Sequence, residues 1–150
     1  MANGEHVVHS WPAQILRGDK PSSRQGLLVL TDRRCLFLHR VGFLTGRKFE
    51  MDSSLAWPLS EIQTAFPKRF TLSIGYGDRM DINGLEIQGR NFHLDREMSA
   101  RAILLEIAKA RRSRLSELGT PGQLFSCGTC GAWSAVPSRR CAQCGGPMLP

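Results

Sequence analysis

The sequence predicts a mainly β protein with one C-terminal α-helix, a curved sheet or partly open barrel capped by that helix, and then a small cysteine-bearing ribbon. Three observations predict this class. Up to Leu94, short aliphatic and aromatic runs alternate with turns rich in Gly, Asn, Ser and Asp; from Asp95 the hydrophobic period becomes 3.6; and four of the 5 cysteines fall in two CxxC pairs near the C-terminal end.

Met1 to Pro12 reads as a poorly patterned lead-in with Val7, Val8 and Trp11 as its apolar points, and His6 and His9 read as surface residues. Ala13–Arg17 is expected to be the first strand, and Gly18-Asp19-Lys20-Pro21-Ser22-Ser23 a turn-rich loop. Gly26–Leu30 and Arg34–Arg40, joined by Thr31-Asp32-Arg33, predict an antiparallel hairpin. Cys35 lies inside its second run and reads as a small core residue, and His39 as a strand-end histidine. A loop follows through Val41–Lys48. Leu55–Leu59 and Ile62–Phe66 read as strands broken at Ser60-Glu61, with Pro58 at an edge or a bend. Phe70–Ile74 and Arg79–Ile82 flank Gly75-Tyr76-Gly77-Asp78, which fits a hairpin turn better than a phosphate cradle. Asn83-Gly84 predicts a type I′ turn before Leu85–Gln88, and Asn91–Leu94 closes the β region.

Asp95 is placed to cap a helix from Arg96 to Leu118 that buries Ala100, Ile103, Leu104, Ile107 and Ala108 and ends at Gly119. Lys109, Arg111, Arg112 and Arg114 crowd its last turns, either as a dipole-favoured solvated end or as an anion-binding patch. Residues 1–118 are therefore expected to form one domain, 119–124 a linker and 125–150 a separate ribbon.

The ribbon carries the clearest chemistry: Cys127-Gly128-Thr129-Cys130-Gly131 and Cys141-Ala142-Gln143-Cys144-Gly145. Each CxxC turns tightly enough to aim two thiolates at one point, and two such hooks supply the four soft ligands of tetrahedral Zn²⁺, at Zn–S distances of roughly 2.3 Å. Gly131 and Gly145 follow the second cysteine of each hook, where a glycine-favouring backbone is expected. Disulfides would require an oxidising compartment, whereas Met1–His6 lack the charged start and apolar core of a secretion signal. A redox CxxC stands alone beside a βαβ pattern, and here the hook is doubled. Iron on the same four ligands stays open. Four cysteine ligands leave no position for water, so the metal reads as structural.

The pattern resembles the short zinc ribbons of prokaryotic proteins, CxxCGA, a variable connection, then CxxCG. Its spacing is also similar to small zinc fingers that bind ubiquitin or single-stranded RNA; those carry Trp two places before the first cysteine and Asn four places after the second, where this chain has Phe125 and Ser134. Gly26-Leu27-Leu28-Val29-Leu30-Thr31-Asp32-Arg33-Arg34-Cys35-Leu36-Phe37 resembles the G-x-L-x-L-T-x-x-R-L-x-F stretch of GRAM and bacterial PH-like domains, and Trp57–Ile62 their I-P-L-x-x-I. The resemblance covers residues 5 to 115. It implies a binding module for proteins or phosphoinositides, with Arg17, Lys20 and Arg24 as phosphate-facing residues; if anionic lipid is the ligand, the nearby Arg47 and Lys48 are expected to face its headgroups with them.

The net charge of +7 favours acidic partners without choosing among nucleic acid, anionic membrane and acidic protein. No apolar run approaches the roughly 20 residues of a transmembrane helix. The expected function is thus a non-enzymatic cytoplasmic adaptor, peripheral to the membrane if lipid is its ligand, with a protein partner and structural zinc. The alternatives are a nucleic-acid-binding protein that uses Trp133 as a stacking platform beside Arg139 and Arg140, and a ubiquitin-pathway or ESCRT-like adaptor resembling GLUE domains. Neither paired carboxylates nor a nucleophile–base pair stands out at catalytic spacing.

Overall fold

A computed structural model of the chain describes residues 4–17, 20–41, 48–68, 79–89, 100–120 and 122–150. The described residues are mainly β with one α-helix. Strands β1 (Val7–Arg17), β2 (Lys20–Thr31), β3 (Arg34–Val41) and β4 (Lys48–Pro58) form an antiparallel meander, and a 3-10 turn at Leu59–Glu61 leads into a second one, β5 (Thr64–Lys68), β6 (Arg79–Ile82) and β7 (Leu85–Gly89). β1 pairs with β7 and joins the two meanders, giving the order β5-β6-β7-β1-β2-β3-β4.

That order forces the sheet to curl. β4 and β5 are six inter-strand steps apart, roughly 29 Å in a flat sheet at about 4.8 Å per step. The chain from Pro58 to Thr64 reaches at most about 20 Å when fully extended. The two ends of the seven-strand order must therefore approach each other, and the sheet stays open between them. Helix α1 (Ala100–Glu117) packs against the 3-10 turn and β5, at this gap. Its buried face is Ala100, Ile103, Leu104, Ile107, Ala108, Arg111 and Leu115. The first five of these complete a core containing Ile15, Leu28, Leu30, Phe37, Leu59, Ile62, Met80, Ile82 and Ile87.

Several local expectations hold. The Gly26–Arg40 hairpin pairs Gly26 with His39 and Leu30 with Cys35, and Cys35 is fully buried. Burial pushes its thiol up to about 12. Asn83 and Gly84 both have positive φ, 51° and 86°, as a type I′ turn requires. Asn83 Oδ1 also accepts from the Gln63 and Thr64 amides (2.8 and 3.2 Å), which ties the start of β5 to the β6–β7 hairpin. Gly119, at φ 67°, ends the helix, with the Thr120 amide donating to Leu115 O at 3.0 Å.

Other expectations are corrected. From Val7 onwards the expected lead-in is strand β1; Trp11 enters the core and stacks on His9 at 5.3 Å. β2 starts at Lys20, within the predicted loop, and its early residues pair with the end of β1. Polar residues there outweighed a pairing that only the partner strand supplies. Phe70–Ile74, the Gly75–Asp78 turn, Asn91–Leu94 and the Asp95 cap lie outside the described residues.

The motif residues of the β2–β3 hairpin have structural roles. A Cβ on Gly26 would lie 1.9 Å from Leu38 O, so only glycine permits this strand approach. Arg34 grips the buried Glu5 carboxylate with two bonds, Nε to Oε1 at 2.8 Å and Nη2 to Oε2 at 3.2 Å. Thr31 Oγ1 stands 2.7 Å from Glu5 Oε1 and accepts from the Arg34 amide at 2.9 Å. The Thr-x-x-Arg pair thus fixes the turn and ties the segment before β1 to it.

Candidate metal centre

The last 26 residues add three short strands to the open sheet. β8 (Phe125–Cys127) pairs with β9 (Trp133–Ser134) and with β10 (Met148–Leu149), and β9 pairs with β5 through Thr64–Ser134 and Ala65–Trp133. One sheet of ten described strands results, in the order β10-β8-β9-β5-β6-β7-β1-β2-β3-β4. The ribbon was expected to hang on a linker, yet its strands continue the main sheet.

The two CxxC hooks have the same backbone construction. In the first, the Cys127 amide donates to Ala132 O (2.8 Å) and the Gly131 amide to Cys127 O (3.0 Å); in the second, Cys141 donates to Gly146 O (2.8 Å) and Gly145 to Cys141 O (2.9 Å). Gly131 and Gly145 carry φ of 81° and 75°, the left-handed turn that lets each hook double back. The hooks face each other, so that all four Sγ atoms of Cys127, Cys130, Cys141 and Cys144 lie within 4.8 Å of one another. Cys127 Sγ stands 3.4 Å from Cys144 Sγ, and Cys130 Sγ 3.6 Å from Cys141 Sγ. Four sulfurs about 2.3 Å from a common ion stand roughly 3.8 Å apart, and the sulfurs here lie between 3.4 Å and the 4.8 Å limit of the cluster.

The electrostatics also fit a cation. Backbone N–H groups, first that of Cys130, push the Cys127 thiol down to about 6, whereas burial among the other sulfurs pushes Cys130 up to about 12. A bound cation would favour the thiolate form that burial resists at Cys130. A closed set of four soft donors suits tetrahedral binding and leaves no coordination position for a substrate.

The other expected site residues are more scattered. Trp133 is corrected outright. It is only 4% exposed, sits in the main core and donates its indole N–H to Leu104 O of α1 at 3.0 Å. It cannot act as a surface stacking platform, although Arg139 and Arg140 are exposed on the strand-like turn that precedes the second hook. Arg17 and Lys20 are register partners where β1 meets β2, and Arg24 lies further along β2, opposite Ile15. Their side chains, and Arg47, lie outside the described residues, while Lys48 is exposed at the start of β4.

The basic helix end also divides. Arg111 turns inward, with 5% exposure, and its Nε donates to Ile62 O at 3.0 Å, while burial lowers its pKa. Lys109 pairs with Glu106 and Arg114 with Glu117, at 3.3 and 3.4 Å. Sequence reasoning missed the inward turn of Arg111; its place eight residues beyond Ile103 and four beyond Ile107, on the apolar stripe, was the available signal.

No model of a known protein family matches the sequence, and a search of curated proteins finds no match either.

Proposed function

We propose that the protein is a non-enzymatic adaptor in which a PH-like, GRAM-type domain binds protein or lipid and a structural zinc ribbon extends its binding surface. Zinc is the metal this reading assigns to Cys127, Cys130, Cys141 and Cys144, since a closed thiolate tetrahedron with two glycine-turned hooks serves folding. The PH-like reading draws support from two antiparallel meanders joined edge to edge and followed by one helix at the opening. The observation that carries the adaptor reading is the docking of the ribbon on β5, with Trp133 seated against α1. A staple joined so firmly to a sheet shapes a surface and leaves the metal no reactive position. Among the described residues no helix is long and apolar enough to cross a membrane.

The test compares ligands on the intact zinc-loaded chain. Vesicle sedimentation and nucleic-acid titration are run at two salt concentrations on the wild type, on Arg17→Glu/Lys20→Glu/Arg24→Glu and on Arg139→Glu/Arg140→Glu. Trp133 is left intact because its loss would disturb the core. We expect weak, salt-sensitive vesicle binding that falls in the first variant, and no sequence-specific nucleic-acid binding. Tight nucleic-acid binding lost only in the second variant would replace the adaptor reading with a nucleic-acid one.

A further inference from the structure

We propose that the groove between α1 and the first cysteine hook is a docking site for a short acidic peptide segment with an apolar side chain at its centre. One helical stripe forms its wall. Arg101, Leu105, Ala108 and Arg112 stand at i, i+4, i+7 and i+11, so they share one face of α1 and place a cation at each end of an apolar middle. Eleven residues of helix separate the two arginines by about 16 Å. Leu124 and Trp133 line the groove with this stripe, and its cavity volume is about 330 Å³. That is within the range of sites that hold one bulky side chain or a small ligand.

Exposure and charge point to the same occupant. Leu105 is a large aliphatic residue left 54% exposed on a helix whose other large aliphatic residues, Ile103, Leu104, Ile107 and Leu115, are buried. No Asp or Glu lines the groove. Arg101 reaches only a backbone carbonyl, that of Gly128, at 3.4 Å, and among the described residues neither Arg101 nor Arg112 has a carboxylate partner. This contrasts with Lys109 and Arg114 on the same helix, which are paired within it. Two unpaired guanidinium groups flanking a slot suit two carboxylate clusters, and about 16 Å corresponds to about five residues of extended chain. Nucleic acid would need a continuous cationic track and open aromatic faces, and here the central contacts are aliphatic while the face of Trp133 is packed inside.

The position of the groove makes the ribbon part of the site. Gly131 lies so close to Arg101 that a Cβ there would stand 2.7 Å from Arg101 Cγ, so the first hook holds this arginine across the groove mouth. The site then exists only while the metal-bound hook is folded. It rests on the adaptor reading for the biological role of the peptide, while binding itself is tested on synthetic ligands.

Fluorescence anisotropy on the zinc-loaded full chain would use a labelled peptide of about nine residues with carboxylate residues at both ends and one leucine at its centre. Counterparts carry serine for the leucine, or lysine at the ends. We expect saturable binding of the first peptide alone, weakened about tenfold or more by Arg112→Glu and by Leu105→Glu, with circular dichroism and zinc content unchanged because both residues are exposed. Absence of binding at about 1 mM peptide would overturn the proposal. So would binding unaffected by both variants, or equal binding of the serine peptide; these results leave the adaptor reading to the vesicle and nucleic-acid experiments.

Discussion

Between Val7 and Gly89 the chain buries Ile15, Leu28, Leu30, Phe37, Leu59, Ile62, Met80, Ile82 and Ile87 with no measurable exposure, whereas the cluster around the hooks has only Cys127, Ala132 and Cys141 buried, with Phe66 and Met148 packed beside them. The first region holds itself together by apolar burial, each such side chain contributing roughly 1.5–3 kcal/mol relative to exposure. The second lacks that resource. A bound ion would supply the folding free energy that it lacks, and its position comes from contacts that include the β9–β5 ladder and the Trp133 bond to α1. The comparison teaches that a segment too polar to make a core can still complete its neighbour's. Trp133 belongs to the ribbon in sequence and to the sheet in packing.

The largest effect should come from removing the ion. Cys141→Ser with Cys144→Ser should take metal content from one ion per chain to none, by elemental analysis, and forfeit an apparent binding free energy of order 10 kcal/mol from the ribbon. Unchanged metal content would end the four-cysteine reading.

Next comes the residue on which the comparison turns. Trp133→Ala should destabilise the sheet and helix by about 3–5 kcal/mol in a denaturant melt, since it empties a core position and removes the indole bond to Leu104 O. A chain ending at Leu118 should lose similar stability for the same reason. If either melted like the wild type, the two regions would be independent after all.

The smallest effect belongs to the sheet alone. Cys35 is neutral in the folded state up to about 12, while its thiol in the unfolded chain ionises near 9.0. Between these values the folded state holds a proton that the unfolded state has released, so the contribution of Cys35 to stability is full below 9.0 and is lost progressively as pH rises towards 12. Alkylation at pH 8 should leave Cys35 unlabelled in the native chain and label it after denaturation, as mass spectrometry would detect. Native labelling would show that its strand pair opens more readily than its burial implies.

What the sequence determined by itself were the features whose cause is local. Asn83-Gly84 needs positive φ at two successive residues, Gly119 needs it at a helix end, Cys35 alternates inward with Phe37, and the CxxC hooks bring their sulfurs together within five residues. The face of α1 followed from its period, and its expected start at Arg96 lies outside the described residues. Only the tertiary structure decided the rest. β1 and early β2 form strands because each supplies the other's hydrogen bonds, Arg111 points inward because the Ile62 carbonyl waits there, and Trp133 faces the core because β9 finds the free edge of β5. Each depends on a partner distant in the chain, 49 residues away for Arg111 and Ile62, and no pattern within a window of sequence contains such a partner.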